Sequence, residues 1–122
     1  MGGDDVAARL GEIEELLEGL GKAHPKEISA FSRFLRETLD NKALTTREKE
    51  LIALALGISA GCEWCIYLHA RKALEAGAKP EELIEAGLVA VIMGGGPSLM
   101  HLIPLMKAIK KFEGSHSAFS EL

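Results

Sequence analysis

Apolar residues recur along this chain at steps of three and four, the spacing of one face of an α-helix, and no stretch reads as a convincing strand. Val6, Leu10, Ile13, Leu17 and Leu20 form a narrow seam with Glu12, Glu14, Glu15 and Glu18 between them. Such a seam packs on one neighbouring surface, either its own domain or another subunit. Asp4 and Asp5 are suited to cap this first helix, and Gly19 and Gly21 to close it. His24-Pro25 opens a second helix, with Ile28, Phe31, Phe34, Leu35 and Leu39 as its buried face. Asp40-Asn41-Lys42 is a turn. A third helix starts at Thr45 or Thr46, where Thr45 and Glu48 have capping-box spacing. Leu51, Ile52, Leu54, Ala55, Leu56 and Ile58 are apolar on nearly every side, so this helix is predicted to be central, with Gly57 and Gly61 bracketing its end.

A fourth helix runs from Cys62 through Ile66, Leu68, Ala70, Ala73 and Leu74 to a stop at Gly77. Lys79-Pro80-Glu81-Glu82 starts a fifth, buried by Leu83, Ile84, Leu88, Val89, Val91 and Ile92 and stopped by Gly94-Gly95-Gly96-Pro97. The triple glycine follows a helix and lacks a GK[ST] sequence, so it reads as an interhelical turn, not a phosphate cradle. A sixth helix spans about Ser98 to Phe112, and Pro104 inside it implies a kink or a late start. Met93, Met100, Leu102 and Met106 read as packing residues. The tail EGSHSAFSEL is small and polar, and is expected to be loosely ordered. The prediction is an all-α six-helix bundle. Several helices are apolar over more than half their surface, which in a chain this short suggests burial between subunits.

Composition narrows the function classes. The 122 residues are enough for one domain with a modest core. We expect a single domain over 1–122: a leading helix in 1–22, a core at about 25–112 and a loose tail in 113–122. A net charge of −4 argues against nucleic-acid binding, which needs a basic face. MGGDDVAARL has neither a basic n-region nor an apolar h-region, and Val6 breaks the myristoylation pattern that Gly2 would begin. The longest apolar runs, Leu51–Ala60 and Leu83–Gly96, are too short or too interrupted to span a bilayer. The expectation is a cytoplasmic protein with no membrane partner. In a reducing compartment, two cysteines read as catalytic or metal-binding rather than as a staple.

Those cysteines sit in the densest concentration of chemistry in the chain. Cys62 and Cys65 are separated by two residues, and His69 follows four after Cys65. On a helix turning about 100° per residue, positions 62, 65 and 69 share a face within about 60°. Cys65 and His69 are neighbours at i,i+4. Cys62 and Cys65, with Cα atoms about 5 Å apart, are within disulfide range. Cys62 after Gly61 falls in the first helical turn, where free N–H groups and the helix dipole favour a thiolate. This arrangement suits redox chemistry.

Other readings stay open at this point. Cysteine is often a small buried hydrophobe. A structural zinc site needs four convergent ligands, but Cys62 and His69 lie about 10.5 Å apart along a helix axis, and no second CxxC or HxxxH completes a set. A thioredoxin-type motif belongs in a βαβ context that is missing here. Glu50, one residue before the apolar block, reads by itself as a solvated helix acid. His24 reads as a surface residue at a helix start, and His101 as either a pocket residue or a surface or interface residue.

Glu50, eleven residues, Cys62-x-x-Cys65, three residues and His69 resemble the E-x11-C-x2-C-x3-H pattern of the alkylhydroperoxidase D-like proteins of the carboxymuconolactone decarboxylase superfamily. The resemblance covers about Pro25 to Phe112, including TTREKELIALA, CEWCIYLHARKALEAGA and the Pro-Glu-Glu-Leu start that follows. It implies an all-helical fold of the alkylhydroperoxidase D-like type, assembled as a homo-oligomer of three or six subunits. It implies thiol peroxidase activity without metal or flavin, with peroxide as substrate and a lipoyl-type or thioredoxin-like dithiol as reductant. It places catalytic roles on Cys65, Cys62, His69 and Glu50. Founding peroxidases of the group carry a second histidine between the cysteines, where this chain has Glu63-Trp64. Glu63 is expected to oppose a thiolate at Cys62. The lactone decarboxylases of the superfamily generally lack the cysteine pair.

On this pattern His69, oriented by Glu50, deprotonates Cys65, with Cys62 at the helix start as the rival nucleophile. Cys62 closes the disulfide, and an outside dithiol reopens it by attacking Cys62, expected to be the more exposed sulfur. Leu51, Leu54, Trp64 and Ile66 are candidates for an apolar mouth. The same residues also suit a disulfide oxidoreductase or redox sensor with little peroxidase turnover. A decarboxylase-like protein without redox activity is a third reading.

Overall fold

The computed structural model describes residues 2–113 and contains, among them, helices and no strand. The elements are α1 (Gly2–Ala23), α2 (Pro25–Leu39), α3 (Thr46–Ala60), α4 (Glu63–Glu75), α5 (Pro80–Gly94), α6 (Gly96–Met100) and α7 (Leu102–Glu113). The all-α expectation holds, with the predicted sixth helix divided at His101 into α6 and α7. Pro104 therefore falls in the first turn of α7, where its missing N–H has no helical partner to lose.

α3 is central and packs against α4, α5, α2 and α6. Thr45 caps it as expected: its Oγ1 accepts the Glu48 N–H at 3.1 Å, and Glu48 Oε1 accepts the Thr45 N–H at 2.9 Å. The bond from the Thr45 N–H, then one from the Thr45 hydroxyl, holds the Glu48 carboxyl below its ordinary range. The core draws Val6 from α1, Leu54 and Ile58 from α3, and Ile66, Tyr67, Ala70 and Ala73 from α4. Ala78 between α4 and α5, Leu83 and Ala90 of α5, and Leu105, Ala108 and Ile109 of α7 complete it. The Arg47–Glu82 pair, at 2.6 Å, ties the start of α3 to that of α5.

Several expectations are corrected. Gly19 and Gly21 do not close α1, which continues to Ala23. A helical glycine costs only about 1 kcal/mol, so it does not by itself end a helix. The stop comes from Pro25, which drives His24 to φ −136°, ψ 66°. α1 already runs at Gly2, so Asp5 lies inside it and meets Lys107 of α7 at 3.4 Å. Gly77, by contrast, does stop α4: the helix ends at Glu75, and Gly77 just past its cap takes φ 100°. Glu113 belongs to α7, while the rest of the expected loose tail and the Asp4 side chain lie outside the described residues.

The largest correction is α2, which buries no residue. Phe31 is 50 % and Phe34 66 % exposed. Ile52 and Leu56 on α3 and Leu88, Val89 and Ile92 on α5 also face outwards. Helical periodicity marks which face is apolar; it does not supply a surface to cover it.

Candidate active site

The site is built at the junction of α3 and α4. Gly61 ends α3 at φ 68°, ψ 31°, the left-handed conformation that glycine takes without a Cβ penalty. The Gly61 N–H bonds Ile58 O at 3.1 Å, and the Cys62 N–H bonds Gly57 O at 3.0 Å, a Schellman closure. Cys62 thus closes one helix, and it opens the next. It is the N-cap of α4, with φ −98° and ψ 101°, and its Sγ accepts the Cys65 N–H at 3.2 Å. The expectation that Cys62 sits within the helical turn is corrected by one position, because the αL closure leaves it extended. The two-residue spacing between the cysteines is the N-cap-to-N3 spacing, so a sulfur does the work of a capping hydroxyl.

Cys62 and Cys65 are joined as a disulfide, with Cα atoms 5.3 Å apart. Both residues are half-buried. Gly57 lets α3 approach this bond closely: a Cβ there would stand 3.1 Å from the Cys65 Cβ.

One turn after Cys65, His69 meets Glu50 of α3, with Nδ1 and Oε1 2.7 Å apart. Glu50 is 3 % exposed, which removes the reading of a solvated helix acid. A carboxylate only accepts, so Nδ1 carries the proton in this bond, and Nε2 is the ring nitrogen that Glu50 does not engage. Helical side chains lean towards the N-terminus, which tilts His69 back towards Cys65. The structure thus pairs Glu50 with His69 and Cys62 with Cys65, and the two pairs share α4, on which His69 follows Cys65 by one turn. A groove of about 510 Å³, with Leu17, Leu35, Arg36, Leu39 and Lys72 in its wall, reaches Glu50 from the α2 side.

The two residues between the cysteines are held by α1. Glu63 Oε1 lies 3.3 Å from Arg9 Nε, and Glu63 Oε2 accepts the Tyr67 hydroxyl at 2.8 Å. Trp64 Nε1 donates to Glu12 Oε1 at 2.8 Å, and the Arg9 guanidinium lies 5.8 Å from the Trp64 ring centroid. The Glu63 hydrogen bond is the main reason the Arg9 guanidinium holds its proton more tightly than usual. Burial, then the bond to Glu63, raises Tyr67 well above the ordinary phenol range. Glu63, expected to oppose a thiolate at Cys62, is thus paired with the Arg9 guanidinium. Arg9 and Tyr67 were missed by sequence reasoning, and for Arg9 no local signal exists, since it stands 54 positions from Glu63.

The apolar mouth is also corrected. Leu54 and Ile66 are fully buried in the core. Trp64 instead lines a groove of about 530 Å³ with Glu12, Ile13 and Leu16 of α1. His101 stands beside the Gly61 turn: its Nδ1 donates to Pro97 O at 2.8 Å, and its Nε2 is 3.4 Å from where a Gly61 Cβ would be. His24 is exposed at the start of α2, 4.0 Å from Glu27. Among the described residues, no three His, Cys, Asp or Glu side chains converge as a metal ion would require. No helix among them is long and apolar enough to cross a membrane.

Fold and site together define a helical protein of the carboxymuconolactone decarboxylase class. Residues 25–108 match the model of the carboxymuconolactone decarboxylase family, and the chain belongs to that family. A carboxymuconolactone decarboxylase family protein from Legionella pneumophila has a similar crystal structure, with a TM-score of 0.81 and 34 % identity over 96 % of this chain and 98 % of the other. A Thermotoga maritima family member, for which involvement in an antioxidative response has been suggested, shares the fold at a TM-score of 0.77 and 22 % identity, covering 87 % of this chain and 91 % of the other. An uncharacterised protein of Cupriavidus necator is 37 % identical over 97 residues, which are 80 % of this chain and 86 % of that protein.

Proposed function

We propose that the protein is a thiol-dependent peroxidase working through the Cys62–Cys65 pair. The observation that carries this reading is the buried Glu50–His69 pair, placed one helical turn from a disulfide-forming cysteine. In the reduced protein, His69 Nε2 takes the Cys65 proton, and Glu50 holds the imidazole in the tautomer that can accept it. The Cys65 thiolate attacks the peroxide, an S–O bond forms, the O–O bond breaks, and ROOH leaves as ROH with the proton His69 returns. Cys65 is then a sulfenic acid. The Cys62 sulfur displaces its hydroxyl as water, forming the disulfide. A lipoyl-type or thioredoxin-like dithiol reduces it by exchange and is itself oxidised. The sum is ROOH plus a dithiol giving ROH, water and a disulfide. The suggested antioxidative role of the Thermotoga maritima relative is in keeping with this reading.

The test is peroxide consumption driven by dihydrolipoamide, comparing the wild type with Cys65→Ser. Turnover in the first and none in the second is expected. No turnover in either, with a disulfide that still exchanges with dithiols, would leave the same residues working as a disulfide oxidoreductase or sensor.

A further inference from the structure

Glu63 follows Cys62 directly, and an acid beside a thiol disfavours its thiolate. Charged and titratable groups approach this turn from the elements packed there: Arg9, Glu12 and Asp5 from α1, the last paired with Lys107 of α7, Glu50 from α3, Glu63, Tyr67 and His69 from α4, and His101 from the α6–α7 break. Glu50 is taken up by His69, and Glu12 by Arg9 and Trp64. Of these groups only Arg9 sets a permanent cation against Glu63, at 3.3 Å. Tyr67 fixes the other carboxylate oxygen. Arg9 lies in α1, outside the stretch that matches the family model.

We propose that Arg9 is a positioning residue for the dithiol: it draws Glu63 onto α1 and offsets its charge, which keeps the Cys62 sulfur reactive. The proposal rests on the dithiol reading of Cys62 and Cys65, but not on peroxide being the substrate. It makes the leading helix a part of the redox centre rather than only a packing element. Glu12 serves the same clasp from one turn further on, by holding Trp64 while it contacts Arg9 at 3.3 Å.

The test uses the full chain with Cys65→Ser, so that Cys62 is the sole thiol. Iodoacetamide alkylation forms one S–C bond at Cys62, releases iodide and reads its thiolate directly. Arg9→Gln is expected to slow alkylation at pH 7 by about threefold, the size of effect one partly screened charge has on a thiolate population. The midpoint of the rate–pH profile should move upwards. Adding Glu63→Gln to Arg9→Gln should restore the rate, and Arg9→Lys, which keeps the charge, should retain it. An unchanged rate in Arg9→Gln would overturn the proposal. So would a double variant as slow as Arg9→Gln, because the loss would then come from docking geometry and not from charge. If Arg9→Gln loses helicity, Glu63→Gln alone carries the test: it is expected to speed alkylation, and no change would count against the proposal. Peroxide turnover does not enter these readings, so a failed peroxidase assay and a failed role for Arg9 are told apart.

Discussion

Glu50 and His69 stand 19 positions apart in the chain, and their side chains meet at 2.7 Å across the α3–α4 contact. The carboxylate is almost wholly buried, so the imidazole is what makes its charge tolerable.

Removing the imidazole should therefore cost stability as well as activity. His69→Ala leaves a buried carboxylate without its partner, at an expected cost of about 3 kcal/mol. Urea unfolding checks this, and a loss within the error of the method would contradict it. Glu50→Gln keeps the volume but no longer enforces the tautomer. It should slow Cys65 oxidation by about 100-fold while leaving the fold intact, as single-turnover kinetics would show.

Cys62→Ser and Cys65→Ser should separate the two halves of the cycle. With Cys62 replaced, Cys65 should oxidise once and accumulate as a sulfenic acid that dimedone traps. With Cys65 replaced, peroxide should yield no such adduct at a comparable rate. The reverse pattern would move the attacking role to Cys62.

Two glycines should resist substitution for different reasons. Gly57→Ala puts a methyl 3.1 Å from the Cys65 Cβ, so α3 and α4 must part. We expect a loss of about 1–3 kcal/mol and slower disulfide closure. Gly61→Ala forces an L side chain into φ 68°, at about 1–2 kcal/mol. Thermal melts of both variants measure these losses.

Tyr67 is the single tyrosine of the chain, so phenolate absorbance reads it alone. Burial and the bond to Glu63 raise its folded-state value above the ordinary one near 10. The unfolded chain therefore releases this proton first as the pH rises. Its contribution to stability is complete below about pH 10 and is lost as the pH climbs beyond that towards the folded value. Phenolate should appear only together with alkaline unfolding. A smooth titration near pH 10 in the folded protein would contradict the geometry.

The exposed apolar face of α2, with Phe31 and Phe34, is expected to be covered by other copies of the chain in a trimer or hexamer. Phe34→Asp should lower the mass measured by light scattering. An unchanged mass, or a wild type that is already monomeric, would refute this.

The sequence by itself determined the helices, the Thr45–Glu48 cap, the turn at Gly61 and the pairing range of Cys62 and Cys65. All of these are local: propensity, capping and short chain spacing act within one or two turns, and the sequence states them directly. It also supplied the Glu50–Cys62–Cys65–His69 spacing, but only through resemblance, since alone Glu50 read as a solvated acid. The tertiary structure decided that Glu50 is buried against His69. It decided that Arg9 and Glu12 grip the two residues between the cysteines, and that α2 buries nothing within its own chain. These depend on which surfaces meet. Apolar burial has no direction, and a charged side chain carries no mark of a partner 54 positions away, so only the packed fold selects among the contacts that the sequence allows.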